Sequence, residues 1–293
     1  MKLNIKYILA GICVCLSAAC EDNLLEEEQY QKVIYLQSGD DNIFEYSHAV
    51  NDSITRGYLT VGSGGTMPLE ENVTVTLELD SAGLNQYNQR RFDIEYDKYA
   101  HFLDASRFVL PSYEVVLKAN EPNATTFFPI EVDANGLSPD TVYMVPLKIK
   151  SVSNYEVNEE KATVLYKIAL MNKYSEPGKT SYAMKGTKQV EGGIVSAITN
   201  TKDIVPLSKN RIRIFPENLQ VSTKLEDIEN KTITVIVDED NFIRIRPFKN
   251  VIVENVDKSW YDEKEEIFHL SYRYKLPGDE KWNYIEETLT RVQ

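Results

Sequence analysis

Residues 73–79 read VTVTLEL, placing Val73, Val75, Leu77 and Leu79 on one side of a strict alternation and Thr74, Thr76 and Glu78 on the other. A period of two is the mark of a strand buried on one face only. Further β-rich runs stand at 32–37, 56–62, 113–120, 125–133, 142–152 and 162–171, broken by turn residues such as the Asn-Gly and Ser-Pro-Asp of 135–140. Short strands at this density predict an immunoglobulin-like β-sandwich over 32–171. One segment breaks the pattern. Residues 85–108, NQYNQRRFDIEYDKYAHFLDASRF, are polar and hold no period of two, and they read as a structured loop with one helical turn, pinned by Tyr96, Tyr99 and Phe102.

Pro177 and Gly178 follow the last of these runs, so residues 172–178 read as a linker and 179–293 as a second domain. There, Thr232–Val237 and Phe242–Arg246 are joined by DEDN, a hairpin loop of ordinary length and composition. In IFHLSYRYKL (267–276), Phe268, Leu270, Tyr272, Tyr274 and Leu276 form the core face, while Ile267, His269, Ser271, Arg273 and Lys275 form the other. The predicted fold class is all-β: an N-terminal Ig-like β-sandwich followed by a C-terminal antiparallel β-meander or open barrel.

The chain opens with Lys2 and Lys6, a short apolar run from Tyr7 to Leu16, and then Ser17, Ala18 and Ala19 before Cys20. This is the layout of a secretory signal, and the run is too short to span a bilayer. With its cysteine directly after small residues, the site resembles a bacterial lipobox, although Ser17 stands where the usual form has Leu. The expectation is a signal peptide over 1–19, acylation of Cys20, and an acidic tether over 20–31. Glu21, Asp22, Glu26, Glu27 and Glu28 resemble the export signal that sends Bacteroidetes lipoproteins to the outer face of the outer membrane. Cys13, Cys15 and Cys20 are all the cysteines present, so the mature chain has no internal disulfide and no cysteine metal site.

The formal net charge is −13, and loss of Lys2 and Lys6 with the leader makes it more negative still. Such a surface repels nucleic acid and anionic polysaccharide but does not penalise a neutral glycan. No cofactor is expected. His48, His101 and His269 are too scattered for a zinc motif, GSGG (62–65) lacks the Lys and Ser or Thr of a phosphate loop, and the acidic turns at 39–42 and 238–241 lack EF-hand spacing. The acidic runs at 262–266 and 286–287 read as solvated edges rather than as a glycosidase carboxylate pair. What remains is aromatic. Trp260 and Tyr261, with Trp282 and Tyr284, stand beside turn residues and are the candidate glycan-stacking platform; the alternative is a structural plug over the barrel end.

FVLPSYEVVLKAN (108–120), YMVPLKIKSVSNYEVNE (143–159), GKTSYAMKG (178–186) and WYDEKEEIFHLSYRYKL (260–276) together resemble the two-domain lipoproteins of Bacteroidetes polysaccharide-utilisation loci. Those pair an N-terminal domain also found before some surface endoglycosidases with a C-terminal domain of formerly unknown function. The resemblance implies a non-catalytic protein that binds neutral oligo- or polysaccharide at the cell surface. It also implies that the protein works beside an outer-membrane glycan importer and that importer's binding lipoprotein, touching the membrane only through its lipid anchor. A glycoside hydrolase with an unrecognised carboxylate pair, or an adhesive scaffold, are the alternative functions.

Overall fold

The computed structural model describes residues 30–292. The signal peptide, Cys20 and most of the acidic tether lie outside the described residues.

The first domain contains β1 (Val33–Leu36), β2 (Ile43–Ala49), β3 (Thr55–Ser63), β4 (Val73–Leu79), α1 (Ser81–Phe92), β5 (His101–Phe102) and β6 (Phe108–Val109). It continues with β7 (Glu114–Leu117), β8 (Thr125–Val132), β9 (Tyr143–Val152), β10 (Glu156–Val157) and β11 (Thr163–Met171). These form two facing sheets, ordered β10-β1-β3-β8-β6 and β2-β11-β9-β4-β7, with β5 added beside β9. Alternate residues from both sheets, among them Leu59, Val61, Val75, Leu77, Phe128, Ile130, Val145 and Leu147, fill one core. Such a filling by inward-facing residues of two sheets is what a sandwich requires. The expected Ig-like sandwich is therefore present.

Besides the two-residue strands β5, β6 and β10, two longer elements of this domain differ from the sequence expectation. Ser81–Phe92 is a full α-helix rather than part of a loop. Its buried stripe is Leu84 and Asn88, with Tyr87 packed alongside. Asn88 is buried because its amide clamps Ala100, donating to the carbonyl at 2.8 Å and accepting from the N–H at 2.9 Å. A helix that docks through an amide leaves no apolar period to read. Tyr99 does pin the following loop, its hydroxyl donating to the Asp93 carbonyl at 2.6 Å. The second difference is β2, a strand not among the expected runs, which pairs in parallel with β11. It carries the buried His48 against Tyr46 and Tyr166.

The second domain contains β12 (Ser181–Val190), β13 (Val195–Lys202), β14 (Val205–Ser208), β15 (Arg211–Ile214), α2 (Leu225–Lys231), β16 (Ile233–Val237) and β17 (Phe242–Pro247). It ends with β18 (Ile252–Asn255), β19 (Ser259–Asp262), β20 (Ile267–Lys275) and β21 (Asn283–Val292). Its strands all lie in one antiparallel sheet, ordered β13-β12-β21-β20-β19-β17-β16-β15-β14, with β18 also on β20. Tyr182 and Met184 from one end and Ile212 and Ile214 from the other share one core with Phe268 and Tyr272. A single sheet whose two ends meet in one core has curled into a half-barrel, as expected for an open barrel.

The two domains are fastened together at an ion pair between a buried arginine and a carboxylate at the surface. Arg213 on β15 is 4% exposed and grips Asp140 of the first domain with both Nη atoms, at 2.5 and 2.6 Å, while its guanidinium stacks 4.8 Å above Phe248. Two-pronged arginine–carboxylate contacts fix orientation as well as energy. Arg213→Ala is expected to cost about 2 kcal/mol, the usual worth of hydrogen bonds to a charged group, and to split one thermal transition into two as the domains uncouple. Calorimetry that still shows a single transition of unchanged width would contradict this role.

Candidate functional site

Alternation along β20 turns Phe268, Leu270, Tyr272 and Tyr274 into the core and leaves His269, Ser271, Arg273 and Lys275 on the outer face. Register carries that face across the sheet. His269 is opposite Trp260 and Thr288, and Arg273 is opposite Tyr284. Trp260 is 40% exposed and lies flat on the His269 ring, 4.2 Å apart and 11° from parallel. Phe242, its neighbour on β17, is also exposed, with Lys258 Nζ 4.5 Å from its ring.

Between Trp260 and β12 lies a shallow groove of about 510 Å³, bordered by Trp260, Lys258 and Asp257 on one side and by Lys185 and Thr187 on the other. Ser271, Glu286 and Thr288 form part of its floor. The groove opens where β20 exchanges partners, since β19 ends its pairing at His269 and β18 begins at Tyr272. At that break the Ser271 N–H donates to the Ser259 hydroxyl at 2.9 Å, but the Ser271 Oγ is buried with no hydrogen-bond partner among the described residues. Buried hydroxyls without partners are rare, and this one lies where the strand pairing breaks to open the groove.

At the far end of this face, four residues along β20 and so roughly 13 Å away, Arg273 organises a second aromatic group. Its guanidinium lies 4.3 Å from the Trp282 ring and donates to the Tyr284 hydroxyl at 3.2 Å and to Glu254. Lys275 Nζ is 5.0 Å from the same Trp282 ring. Trp282 and Tyr284 are half-buried, not plugs in the barrel.

The structure thus places Trp260, Trp282 and Tyr284 on one face, and it removes Tyr261 from the platform. Tyr261 is only 3% exposed and points into the core, edge-on to Tyr174 at 5.0 Å and against Phe268 at 4.6 Å. Burial pushes its phenol up to about 12. Adjacent residues of a strand face opposite ways, so Trp260 and Tyr261 cannot both serve an outer surface. His269 and Ser271 are the residues the sequence reading left out; position on the Trp260 side of the alternation was the signal for both.

Glu287 is a further correction. It is 2% exposed and not part of a solvated edge. Its Oε2 lies 2.8 Å from Nζ of Lys202, which also donates to the Phe215 carbonyl at 2.9 Å, and its Oε1 accepts from the Tyr272 hydroxyl at 2.8 Å. Burial holds the Lys202 ammonium below the usual lysine range, against the opposing pull of Glu287. Gly186 on β12 sits opposite this residue, and a Cβ there would fall 2.1 Å from the Glu286 carbonyl oxygen. Glycine is what lets the two strands close over the pair.

A family model of an N-terminal domain matches residues 30–156, and a family model of a C-terminal domain matches 162–290. Comparison with curated proteins finds no match. Among solved structures, the fold is similar to that of a protein of unknown function from Bacteroides ovatus, at 15% identity and TM-score 0.63, covering 89% of this chain and 94% of the other. It is similar to a multidomain protein including DUF1735 from the same species, at 15% identity and TM-score 0.62, covering 90% and 95%. It is also similar to an auxiliary nutrient binding protein from Bacteroides thetaiotaomicron, at 16% identity and TM-score 0.57, covering 86% and 92%. At these identities the likeness is one of fold. The two family matches adjoin and together take in nearly all the described residues, and the chain belongs to the two-domain family they define, an Ig-like N-terminal domain joined to a C-terminal β domain.

Proposed function

We propose that the chain is a non-catalytic glycan-binding protein whose ligand lies along the outer face of the second domain, from the Trp260 groove toward Arg273 and Trp282. The observation that carries this reading is the exposed face of Trp260 beside the unpartnered Ser271 hydroxyl. A sugar ring offers C–H groups to an indole face and hydroxyls to nearby polar atoms, and this groove supplies both, with Asp257, Lys185, Glu286 and Thr288 as hydrogen-bonding groups. Its mixture of charges suits a neutral oligosaccharide. The nutrient-binding name of one structural relative and the resemblance to polysaccharide-utilisation lipoproteins agree with this reading. On it, acylation at Cys20 and the acidic tether hold the protein on the outer membrane, facing outward, where it concentrates glycan for an importer.

Affinity electrophoresis and calorimetric titration against a panel of neutral plant and host glycans test the proposal. Asp257 and Glu286 line the groove as well, so release of reducing ends is followed in the same tubes. The expected result is retention by one glycan class without release. Trp260→Ala should weaken that binding about tenfold or more while leaving the melting temperature within a few degrees, because Trp260 contributes little to the core. Unchanged affinity in a folded Trp260→Ala protein would sink the assignment of this face, and release of reducing ends would make the protein an enzyme.

A further inference from the structure

Behind the β20–β21 hairpin, on the side away from the Trp282 ring, is a second concavity of about 520 Å³. Glu217, Leu219, Leu276, Lys188, Tyr274 and Asn283 line it. Glu217 is 1% exposed, and its backbone is held at φ 45°, in the left-handed region that a side chain with a Cβ rarely adopts. Two donors converge on one of its carboxylate oxygens. Lys188 Nζ lies 2.7 Å from Oε1, and the Tyr274 hydroxyl donates to the same atom. The other oxygen, Oε2, is buried and has no partner among the described residues. A carboxylate oxygen left bare in a protein interior is costly, and its presence calls for a donor.

The character of that donor follows from the charges around it. Glu217 pairs with Lys188, and Glu287, linked through the Tyr272 hydroxyl that also accepts from the Glu217 N–H, pairs with Lys202. The buried network is thus already neutral, and the rim adds charge of both signs through Asp279, Glu280 and Lys281, so the concavity does not select a charged ligand and an uncharged hydroxyl can serve as the donor. Leu219 and Leu276 add apolar wall to complement C–H groups, and Asn283 can both donate and accept. We infer that this concavity is a second ligand site, separate from the outer-face groove, that takes a neutral polyhydroxylated unit of monosaccharide size with a hydroxyl donated to Glu217 Oε2. The site lies behind the hairpin, so its occupant need not touch Trp260.

The test is an NMR titration of the protein with D-glucose, D-mannose, D-galactose and N-acetylglucosamine, each up to about 0.1 M, following the methyl signals of Leu219 and Leu276. At least one sugar should shift both residues saturably. Glu217→Gln, which puts an amide donor or a weaker acceptor at the bare position, should reduce that affinity at least tenfold. Trp260→Ala should leave it within twofold. If Glu217→Gln fails to fold, Asn283→Trp fills the concavity from its rim without entering the buried network, and it should abolish the shifts. The inference is overturned if none of the four sugars moves these signals, or if a folded Glu217→Gln or Asn283→Trp protein binds as tightly as the parent. Monosaccharide binding that is lost in Trp260→Ala but kept in those two variants would place the ligand on the outer face, leaving that reading intact and this one refuted.

Discussion

Replacement of Lys202 by alanine is expected to lower the unfolding free energy of the second domain by about 3–5 kcal/mol, the usual consequence of stranding one member of a buried ion pair. Lys202 and Glu287 are 4% and 2% exposed. Without the ammonium, the Glu287 carboxylate keeps only the Tyr272 hydroxyl at 2.8 Å, and the Phe215 carbonyl loses its donor. The informative control is the double replacement Lys202→Met with Glu287→Leu. Removing both charges in favour of apolar groups of similar size is often neutral or stabilising, so the double variant should recover most of what the single variant loses. Urea unfolding followed by fluorescence reads both. A loss below about 1 kcal/mol in Lys202→Ala would show that the pair contributes no more than an exposed one.

The first domain is expected to lose stability as the pH falls from about 6.5 to about 4. His48 is fully buried on β2, its Nδ1 2.8 Å from the Thr55 hydroxyl and its Nε2 2.9 Å from the Tyr166 hydroxyl. Burial disfavours the imidazolium and takes its pKa down to about 4 from the ordinary 6.5. Between those two values the unfolded chain takes up a proton that the folded one refuses. Stability is therefore complete above the unfolded pKa and declines as acid is added, levelling off below about pH 4 after a loss of about 3 kcal/mol. There is little room to accommodate the charge, because a Cβ on Gly57 would already lie 2.0 Å from the Tyr166 hydroxyl and 3.0 Å from the His48 ring. Two measurements check this. Urea midpoints should drop across that window, and the His48 ring proton resonance should stay unmoved down to about pH 5. Titration of His48 near 6.5 in the folded protein would contradict it.

The sequence disclosed most of the sheet and less of what the sheet carries. Alternation such as Val73, Val75 and Leu77 is imposed by one-sided burial, so it is visible in the strands themselves. The hairpin at 233–247 shows for the same reason, with its turn residues in place. Helix 81–92 escapes because its docking group is Asn88, whose partner is a backbone amide twelve residues on. β2 escapes because its inward series is Phe44, Tyr46 and His48, an alternation that only registers once a histidine is admitted to a core.

The candidate site divides similarly. Trp260 could be singled out as an indole in a polar stretch, but the same reading includes Tyr261, although a period of two along the strand sets the two on opposite faces. The burial of Glu287 could not be read locally, since what makes it tolerable is Lys202, 85 residues away, and Glu217 depends on Lys188 and Tyr274 in the same manner. Partners at that separation are brought together by register, which composition does not encode.

The strand pairing described for both domains sets an order of assembly. In the first, β2 is hydrogen-bonded along its length to β11, and in the second β12 is paired over ten residues with β21. Each domain is thus closed by joining an early strand to its final one, a high-contact-order arrangement that folds slowly and late. The groove beside Trp260 has Lys185 from β12 and Thr288 from β21 on its lining. A nascent or truncated chain therefore has no weakened version of the groove to offer, and competence for a ligand arrives in one step, when β21 takes its place.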